Sequence, residues 1–491
     1  MKHWRWLLFI WTCIVRGPTF LRSAIESDEG LYLLIARDWA HGIVPYTGVW
    51  DHKPVGTYVI LRALYWSDAS ALFSLRFAAI LFVFIAAVVI GQLAVWLHGS
   101  PAAGPVCAFL YPVLSLLLGG TASNTEHFFI AFTLVGLFCL TRAAETTTSR
   151  SSLAWLASAG LSFGAAFQVK YVVAVEVIYL AVSYSWVQRV RGTSVPKLGW
   201  LVLLLGTALP TCAAFIYFAI AGAWQPFIQA TLMANLRHAG GHSREDLNLL
   251  VQTGRRYVTS TLWFWTLLGL AKLVSHANPP LDGNAARRHR VERWLFGWLL
   301  VCFVEASLTG KFYVHYLLPS LVPLALLAGS LLDRLHLHRL SARLLPVAAV
   351  LVMVQPLYAT TQKEFQPWIR DYLRAHGDPI AVLARRIEEN LRERHTLFVL
   401  KGEPIIYLLT NTRAPTRFVF PPFLLDPHFS TVASVDYVSE FHAILRKRPE
   451  CILIDDIDQK HYRRASEFRS LLGDSYQIQS LAPATDLYCL R

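Results

Sequence analysis

A succession of apolar runs, separated by short polar loops, restricts this chain more than any other feature. After an N-terminal run come Leu72–Leu97, Pro101–Gly120, His127–Thr141, Leu153–Val169, Val172–Val187 and Leu198–Ala223, then Val258–Leu270, Trp294–Leu308, Phe312–Leu332 and Leu344–Tyr358. A bilayer-spanning helix needs roughly 20 apolar residues, so the pattern predicts a polytopic α-helical membrane protein of about eleven transmembrane helices. The composition agrees, with 55% hydrophobic residues, only 16% charged residues and a mean hydropathy of +0.42. An ordinary soluble domain does not have this balance. The start, "MKHWRWLLFIWTCIVRGPTF", has the basic end and short apolar core of a signal peptide, but no small-residue cleavage pattern follows Arg16-Gly17-Pro18. An uncleaved first span is expected.

The net charge of +13 does not point to nucleic acid, because Lys and Arg punctuate the apolar runs instead of gathering on a soluble domain. Alternate loops carry Arg142 and Arg150, then Arg189, Arg191 and Lys197, then Arg287 to Arg293, then Arg334, Arg339 and Arg343. This is the positive-inside pattern, and it puts the first residues in the cytoplasm. The opposite loops hold Asp28, Glu29, Asp51 and Lys53, then Asn124 and Glu126, then Lys170, then the stretch His238 to Asp246, then Lys311 and His315. The unusual polar residues therefore share the outer face. Glu176 and Glu305 lie within apolar runs, near their outer ends; each either lines an outward cavity or serves as a hydrogen-bonding residue between helices.

Beyond Thr360 the character changes. Strand-like "TLFVL" (Thr396–Leu400), "TRFVF" (Thr416–Phe420) and "CILID" (Cys451–Asp455) alternate with charged helical stretches at Ile387–Arg394 and Tyr462–Leu472. The expected organisation is a membrane module over residues 1–359, with an outer loop over residues 22–71, followed by a small external α/β domain over residues 360–491. Of seven cysteines, five fall in apolar runs and read as small buried residues, whereas Cys451 and Cys489 lie in the external domain and could pair in an oxidising compartment. No internal repeat or glycine-rich nucleotide loop is present in the sequence, so nothing points to ATP or a nucleotide sugar.

The first outer loop reads "SDEGLYLLIARDWAHGIVPYTGVWDHKPVGTYVILRALY". It brings carboxylates and a lysine to one membrane surface. An acid able to accept a hydroxyl proton, near a cation able to hold an anionic leaving group, is the minimum for moving a group off a lipid phosphate. The loop resembles that of the GT-C membrane glycosyltransferases, in particular the dolichyl-phosphate-mannose protein mannosyltransferases and the bacterial aminoarabinose transferase that modifies lipid A. The resemblance rests on Asp28-Glu29 with Tyr32, Gly42 with Pro45-Tyr46, and Lys53-Pro54-Val55-Gly56, where Val55 replaces the second proline of the family pattern. It extends through "TASNTEHFF" with Glu126, "FGAAFQVKYVV" with Lys170 and "GKFYVHYLLPSLVPLALLAG" with Lys311, His315 and Tyr316, covering about the first 335 residues. Where a relative has glutamate before the lysine, this chain has His52, which weakens any carry-over of metal chemistry or sugar preference.

The resemblance implies a GT-C fold and transfer of a sugar, with inversion, from a polyprenyl-phosphate donor to a lipid, glycan or protein hydroxyl on the outer side of a bacterial inner membrane, facing the periplasm. Asp28 is then the catalytic carboxylate, with helix capping as its structural alternative; Glu29 supports it or is a solvated first-turn residue. Lys53 and Lys170 are the phosphate contacts, the first otherwise an interfacial lysine and the second otherwise a turn residue. Asp51, His52, Glu126, Lys311, His315 and Tyr316 are further cavity candidates. No cofactor is required; a divalent cation is left open, with Asp28 and Glu126 as candidate ligands. A phosphate leaves without a strong general acid, so a glycosidase-like acid pair is not needed. The rival class, a transporter or flippase of lipid-linked sugars, would place its polar residues at the midplane and often show repeated halves.

Overall fold

A computed structural model describes residues 3–146, 148–190, 197–240, 244–260, 262, 283–336, 345–391, 396–455, 462–482 and 484–491. Arg191, Arg339 and Arg343, and most of the run Val258–Leu270, lie outside them. The helices used below are α1 (Trp4–Arg16), α2 (Ser27–Ala40), α3 (Gly56–Leu64), α4 (Ala71–His98), α5 (Ala103–Leu114), α6 (Thr125–Glu145), α7 (Ser149–Val169), α8 (Ala174–Val190), α9 (Lys197–Ile220), α10 (Trp224–Ile228), α11 (Ala234–Gly240), α12 (Arg244–Thr259) and α13 (Gly283–Ser307). They continue with α14 (Leu321–His336), α15 (Leu345–Thr360), α16 (Gln366–Arg374) and α17 (Pro379–Glu388).

The chain divides into two compact units: residues 1–18, 79–214 and 242–365 form one, and residues 19–78, 215–241 and 366–491 form the other. In the first, among the described residues, everything is helix and connecting turn. Three residues separate Glu145 from Ser149, a link too short for anything but an antiparallel hairpin of α6 and α7. Gly160 and Gly164 let α7 meet α9 backbone to backbone: a Cβ at Gly160 would fall 2.4 Å from the Leu203 carbonyl oxygen, and one at Gly164 would fall 2.3 Å from that of Thr207. Two glycines four apart are a common device for close helix crossing in lipid, where apolar burial does not drive association. One turn on, Gln168 donates to the Thr207-side neighbour Thr211, at 2.8 Å.

Four helices among the described residues are long and apolar enough to cross a membrane, over residues 68–98, 125–145, 149–169 and 197–220, and shorter apolar helices cover 103–114, 171–185 and 314–328. Exposed Leu201, Leu204, Leu205 and Leu209 on α9 leave it a continuous apolar surface. The expected count of about eleven is not established. Two runs are broken: Pro101–Gly120 stops being α-helical at Leu114, and Phe312–Leu332 begins as a 3-10 segment, Val314–Ser320, containing Pro319. Proline lacks the N–H that a continuing helix needs.

The second unit is larger than the predicted external domain, because the outer loop folds into it. A Cβ on Gly30 of α2 would fall 2.4 Å from the Ile405 backbone nitrogen. The Trp50 N–H donates to the Arg417 carbonyl (2.9 Å), Trp50 stands edge-on to Phe423 (4.7 Å between ring centres), and Arg237 donates to the Val432 carbonyl (2.9 Å). Its sheet has the order β1-β2-β4-β3, with β1 (Leu397–Lys401) parallel to β2 (Cys451–Asp455) and the hairpin β3 (Tyr476–Ala482) and β4 (Thr485–Leu490) antiparallel.

Strands β1 and β2 match the sequence expectation. "TRFVF" is not a strand: Pro415 and Pro421 bracket it, the Thr416 hydroxyl accepts the Phe418 N–H (3.1 Å), and its Arg417 carbonyl is used by Trp50. Of the expected helix Ile387–Arg394, residues 392–394 lie outside the described residues; α17 begins well ahead of it, because Asp378 caps the helix by accepting the Ala381 N–H (3.2 Å) and Pro379 starts it. Strand β4 agrees with the expectation that Cys489, like Cys451, sits in a strand-like run, whereas β3 was not anticipated. Cys451 and Cys489 are bonded and sit directly opposite each other on β2 and β4. Since the Leu490 N–H donates to the Glu450 carbonyl (2.9 Å), the cysteines occupy the neighbouring non-hydrogen-bonded position, where side chains approach most closely. Of the remaining cysteines, Cys107, Cys139 and Cys302 are buried as expected, but Cys13 is half-buried and Cys212 exposed.

Candidate active site

Helix α2 begins at a capping box. Glu26 is its N-cap, and the Glu29 carboxylate accepts the Ile25 N–H (2.7 Å) and the Glu26 N–H (3.4 Å). Asp28 is therefore not the cap. Its carboxylate accepts the Tyr32 hydroxyl (3.0 Å), one turn along the same helix face, and the Lys53 ammonium (2.9 Å). Glu29 faces the other way, buried and ion-paired with Arg76, whose guanidinium also reaches the Arg22 carbonyl (3.0 Å). The solvated reading of Glu29 is overturned by that burial, and its position is that of an anchor for α2.

Gly42, Tyr46 and Asp51 of the "GIVPY…DHKPVG" pattern each have a local reason to be there. Gly42 (φ 87°) follows the C-cap of α2, and the Ile43 N–H bonds back to the Asp38 carbonyl (2.9 Å) while the Gly42 N–H bonds to Trp39 (3.1 Å), a Schellman stop that wants glycine. Tyr46 holds φ at 70°, a strained value for an aromatic residue, and is fully buried against Tyr58, Phe218 and Phe227. Its hydroxyl donates to the Lys53 carbonyl (2.8 Å). The turn thus fixes the backbone of the lysine.

Asp51 fixes the lysine from the other side. It has no exposed surface, accepts the Tyr58 hydroxyl (2.6 Å) and the His52 N–H (2.7 Å), and lies 3.9 Å from the Lys53 ammonium. Burial pushes its carboxyl up, but Lys53, His52 and Tyr58 outweigh this and hold it well below the usual carboxylate range. Burial, with the Asp51 charge added, raises the Tyr58 hydroxyl well above its ordinary value, so it stays a donor. His52 packs in a row of imidazoles, 5.1 Å from His238, which is 5.2 Å from His428, and its carbonyl accepts the Asn235 amide (2.5 Å).

Reading the sequence did not find Glu403. It follows β1 in "KGEP"; burial raises its carboxyl, a Ser27 hydrogen bond opposes this, and the charges of Glu29, Asp455 and Asp28 add to it. One carboxylate more sits beside the start of α2 than the motifs suggested. Only the tertiary fold brings residue 403 there.

The other unit carries a second cluster. The Lys170 ammonium, just past the end of α7, pairs with the buried Glu126 in the first turn of α6 and lies 3.6 Å from the centre of the Tyr316 ring. The Thr125 hydroxyl donates to Glu126 (3.1 Å), and His315 stands edge-on to Tyr316 (5.0 Å). Lys170 is no simple turn residue. Lys311 is buried nearby in sequence, ahead of the Val314–Ser320 segment. Arg16, which the sequence reading passed over, is buried and donates to the Gly120 (3.0 Å) and Thr121 (3.2 Å) carbonyls, and a His127 ring nitrogen lies 2.8 Å from the same Gly120 oxygen. These bonds hold the turn that enters α6. Glu176 accepts the Trp298 indole N–H (2.7 Å), joining α8 to α13, which is the helix-linking alternative; Glu305 is buried on α13.

Asp28 and Glu126, the candidate cation ligands, are each already neutralised by a lysine. Among the described residues no group of three or more His, Cys, Asp or Glu is arranged around a metal position.

Residues 44–225 match the family model described as dolichyl-phosphate-mannose-protein mannosyltransferase, a region that includes Lys53, Glu126 and Lys170 but begins after Asp28. No curated protein sequence matches the chain. Among solved structures, ArnT from Cupriavidus metallidurans bound to undecaprenyl phosphate superposes with a TM-score of 0.61 at 15% identity, over 99% of this chain and 98% of that one. The apo form of the same protein gives 0.60 at 14% identity, over 98% and 97%. Similarity at that identity establishes a fold, and it runs through both units and the C-terminal sheet. The chain thus has a GT-C fold related to those of ArnT and the dolichyl-phosphate-mannose-protein mannosyltransferases.

Proposed function

We propose that this protein is a membrane glycosyltransferase that moves a sugar from a polyprenyl-phosphate donor to an acceptor hydroxyl. The observation that carries the reading is the Asp28–Lys53 pair, 2.9 Å apart and partly open to solvent, held by Tyr32 on one side and by buried Asp51 on the other. The family match over residues 44–225 and the fold shared with a protein crystallised with undecaprenyl phosphate support it.

In the resting protein Lys53 neutralises Asp28. A donor phosphate competes for the ammonium, and Asp28 then has a free lone pair for the acceptor O–H. The acceptor oxygen bonds to the anomeric carbon as the carbon–oxygen bond to phosphate breaks; the hydroxyl proton goes to Asp28, and polyprenyl phosphate leaves with its electron pair beside Lys53. One in-line displacement inverts the anomeric centre. Lys170, beside Glu126 and Tyr316, is the second phosphate candidate. The acceptor is a lipid, glycan or protein at the outer face of a bacterial inner membrane, the face assigned by the positive-inside pattern. The flippase reading would rest on Glu176 and Glu305, and Glu176 is engaged by Trp298.

The test is sugar transfer from a purified polyprenyl-phosphate donor in nanodiscs, with donor binding measured separately. Asp28→Asn removes the base and keeps the shape, so donor binding persists while turnover falls by about 10² or more. An Asp28→Asn protein as active as the parent would overturn the assignment.

A further inference from the structure

Four helices of the first unit enclose an apolar cavity of about 330 Å³ at the end away from Glu126 and Lys170. Each helix contributes one face: Leu93 and Leu97 on α4, Leu137 and Leu140 on α6, and Leu180 on α8. The fourth wall, α13, changes character along its length. Arg287 and Arg290 stand at the mouth, and Trp294 lies about 10 Å deeper at helical rise.

Both arginines are exposed, and the Arg287 guanidinium is held over the opening by donating to the Trp96 carbonyl (2.9 Å) in the last turn of α4, where the helix dipole favours a cation. Among the described residues, no acidic residue lines the cavity. The walls come from the C-terminal ends of α4, α6 and α8 and the N-terminal end of α13, the ends that the positive-inside pattern puts on one side of the membrane. A slot with leucine walls and a doubly cationic rim, opening at the headgroup level of that leaflet, matches a molecule with an acyl chain and a negative head.

We infer that this cavity binds one anionic glycerophospholipid, its phosphate on Arg287 and Arg290 and part of an acyl chain among the leucines. The site is independent of the proposed transfer chemistry: it uses neither Asp28, Lys53 nor Lys170, and its volume is within the range of small-ligand sites. A basic rim on an interhelical pocket is a recurrent means of selecting anionic lipid, with each arginine near the headgroup contributing a several-fold factor.

Native mass spectrometry of the full chain, exchanged into phosphatidylglycerol or phosphatidylcholine, tests the inference. The parent should retain one phosphatidylglycerol in preference to phosphatidylcholine. The Arg287→Ala/Arg290→Ala protein should lose that preference by about tenfold or more, and Arg287→Lys/Arg290→Lys should keep most of it, because the charge remains. Unchanged thermal unfolding in the alanine variant, expected for two exposed residues, excludes misfolding as the cause. Lys53→Ala should retain phosphatidylglycerol as the parent does. Equal retention of the two lipids by the parent, retention unaffected by the alanine pair, or arginine-dependent retention of polyprenyl phosphate in place of phosphatidylglycerol would each overturn it.

Discussion

Lys53 has two carboxylates beside it, and they do different work. Asp28 is partly exposed and can exchange its partner, whereas Asp51 is sealed under Tyr58 and cannot. Lys53→Ala should therefore weaken both donor binding and turnover, since its charge faces the phosphate before and, more strongly, during departure. Lys53→Arg should restore part of the activity, because charge is kept and reach is changed; full activity in Lys53→Ala, measured in the same transfer assay, would assign the lysine a purely interfacial role. Asp51→Asn should destabilise the protein by about 2 kcal/mol, the scale of hydrogen bonds to a buried charge. Its pH dependence has a definite sign. The folded Asp51 carboxyl titrates well below the unfolded value of about 3.9, so its contribution is complete above roughly pH 5 and is lost as pH falls further. The melting-temperature gap between parent and variant should be constant from pH 8 to 5 and narrow below pH 4. Sequence alone named Asp51 a cavity candidate; it could not tell a buried anchor from a reactive group, because that depends on Tyr58 folding over it.

Among the elements, the α7–α9 crossing leaves no space for a side chain at its glycines. A Cβ at Gly164 has no room beside the Thr207 carbonyl, so Gly164→Val should cost about 1–3 kcal/mol by forcing the helices apart, whereas Gly254→Ala on α12, where nothing lies within 4 Å, should leave thermal unfolding unchanged or slightly raise it. Equal unfolding of Gly164→Val and parent would show that the helices do not cross there. Element types were mostly legible: among the described residues the apolar runs are helical, two of them only in part, and β1, β2 and the helix at Tyr462–Ser470 stand where their patterns put them. The misreadings have local causes. Prolines at 415 and 421 outweighed the β-branched and aromatic residues of "TRFVF", and the Asp378 cap starts α17 well ahead of Ile387. Strand β3 carries alternating polar residues, in "QIQS", whose strand character depends on pairing with β4.

For the whole molecule, the disulfide and the sidedness are linked. Cys451–Cys489 closes a loop with a sequence separation of 38, which by chain entropy corresponds to about 4 kcal/mol at most. Non-reducing peptide mapping should recover the linked peptides from protein made in an oxidising compartment, and Cys451→Ser/Cys489→Ser should lower the unfolding temperature without abolishing transfer. Reporter fusions after Arg290 should read cytoplasmic, and fusions after Lys170 or beyond Thr360 should read external. A cytoplasmic reading beyond Thr360 would reverse the outer face on which the proposed chemistry depends.

The sequence by itself determined the solvent and the ladder of helices, because apolar length and basic loops act locally and additively along the chain. It also carried the Asp28, Tyr32, Tyr46 and Lys53 pattern, since that turn is built from near neighbours. Only the tertiary structure decided which carboxylate each lysine meets, that Glu29 belongs to Arg76, that Arg16 holds the turn before Glu126, and that the outer loop packs with residues beyond 366. Those pairings join residues tens to hundreds of positions apart. Their energies depend on burial and distance, and neither exists until the chain is folded.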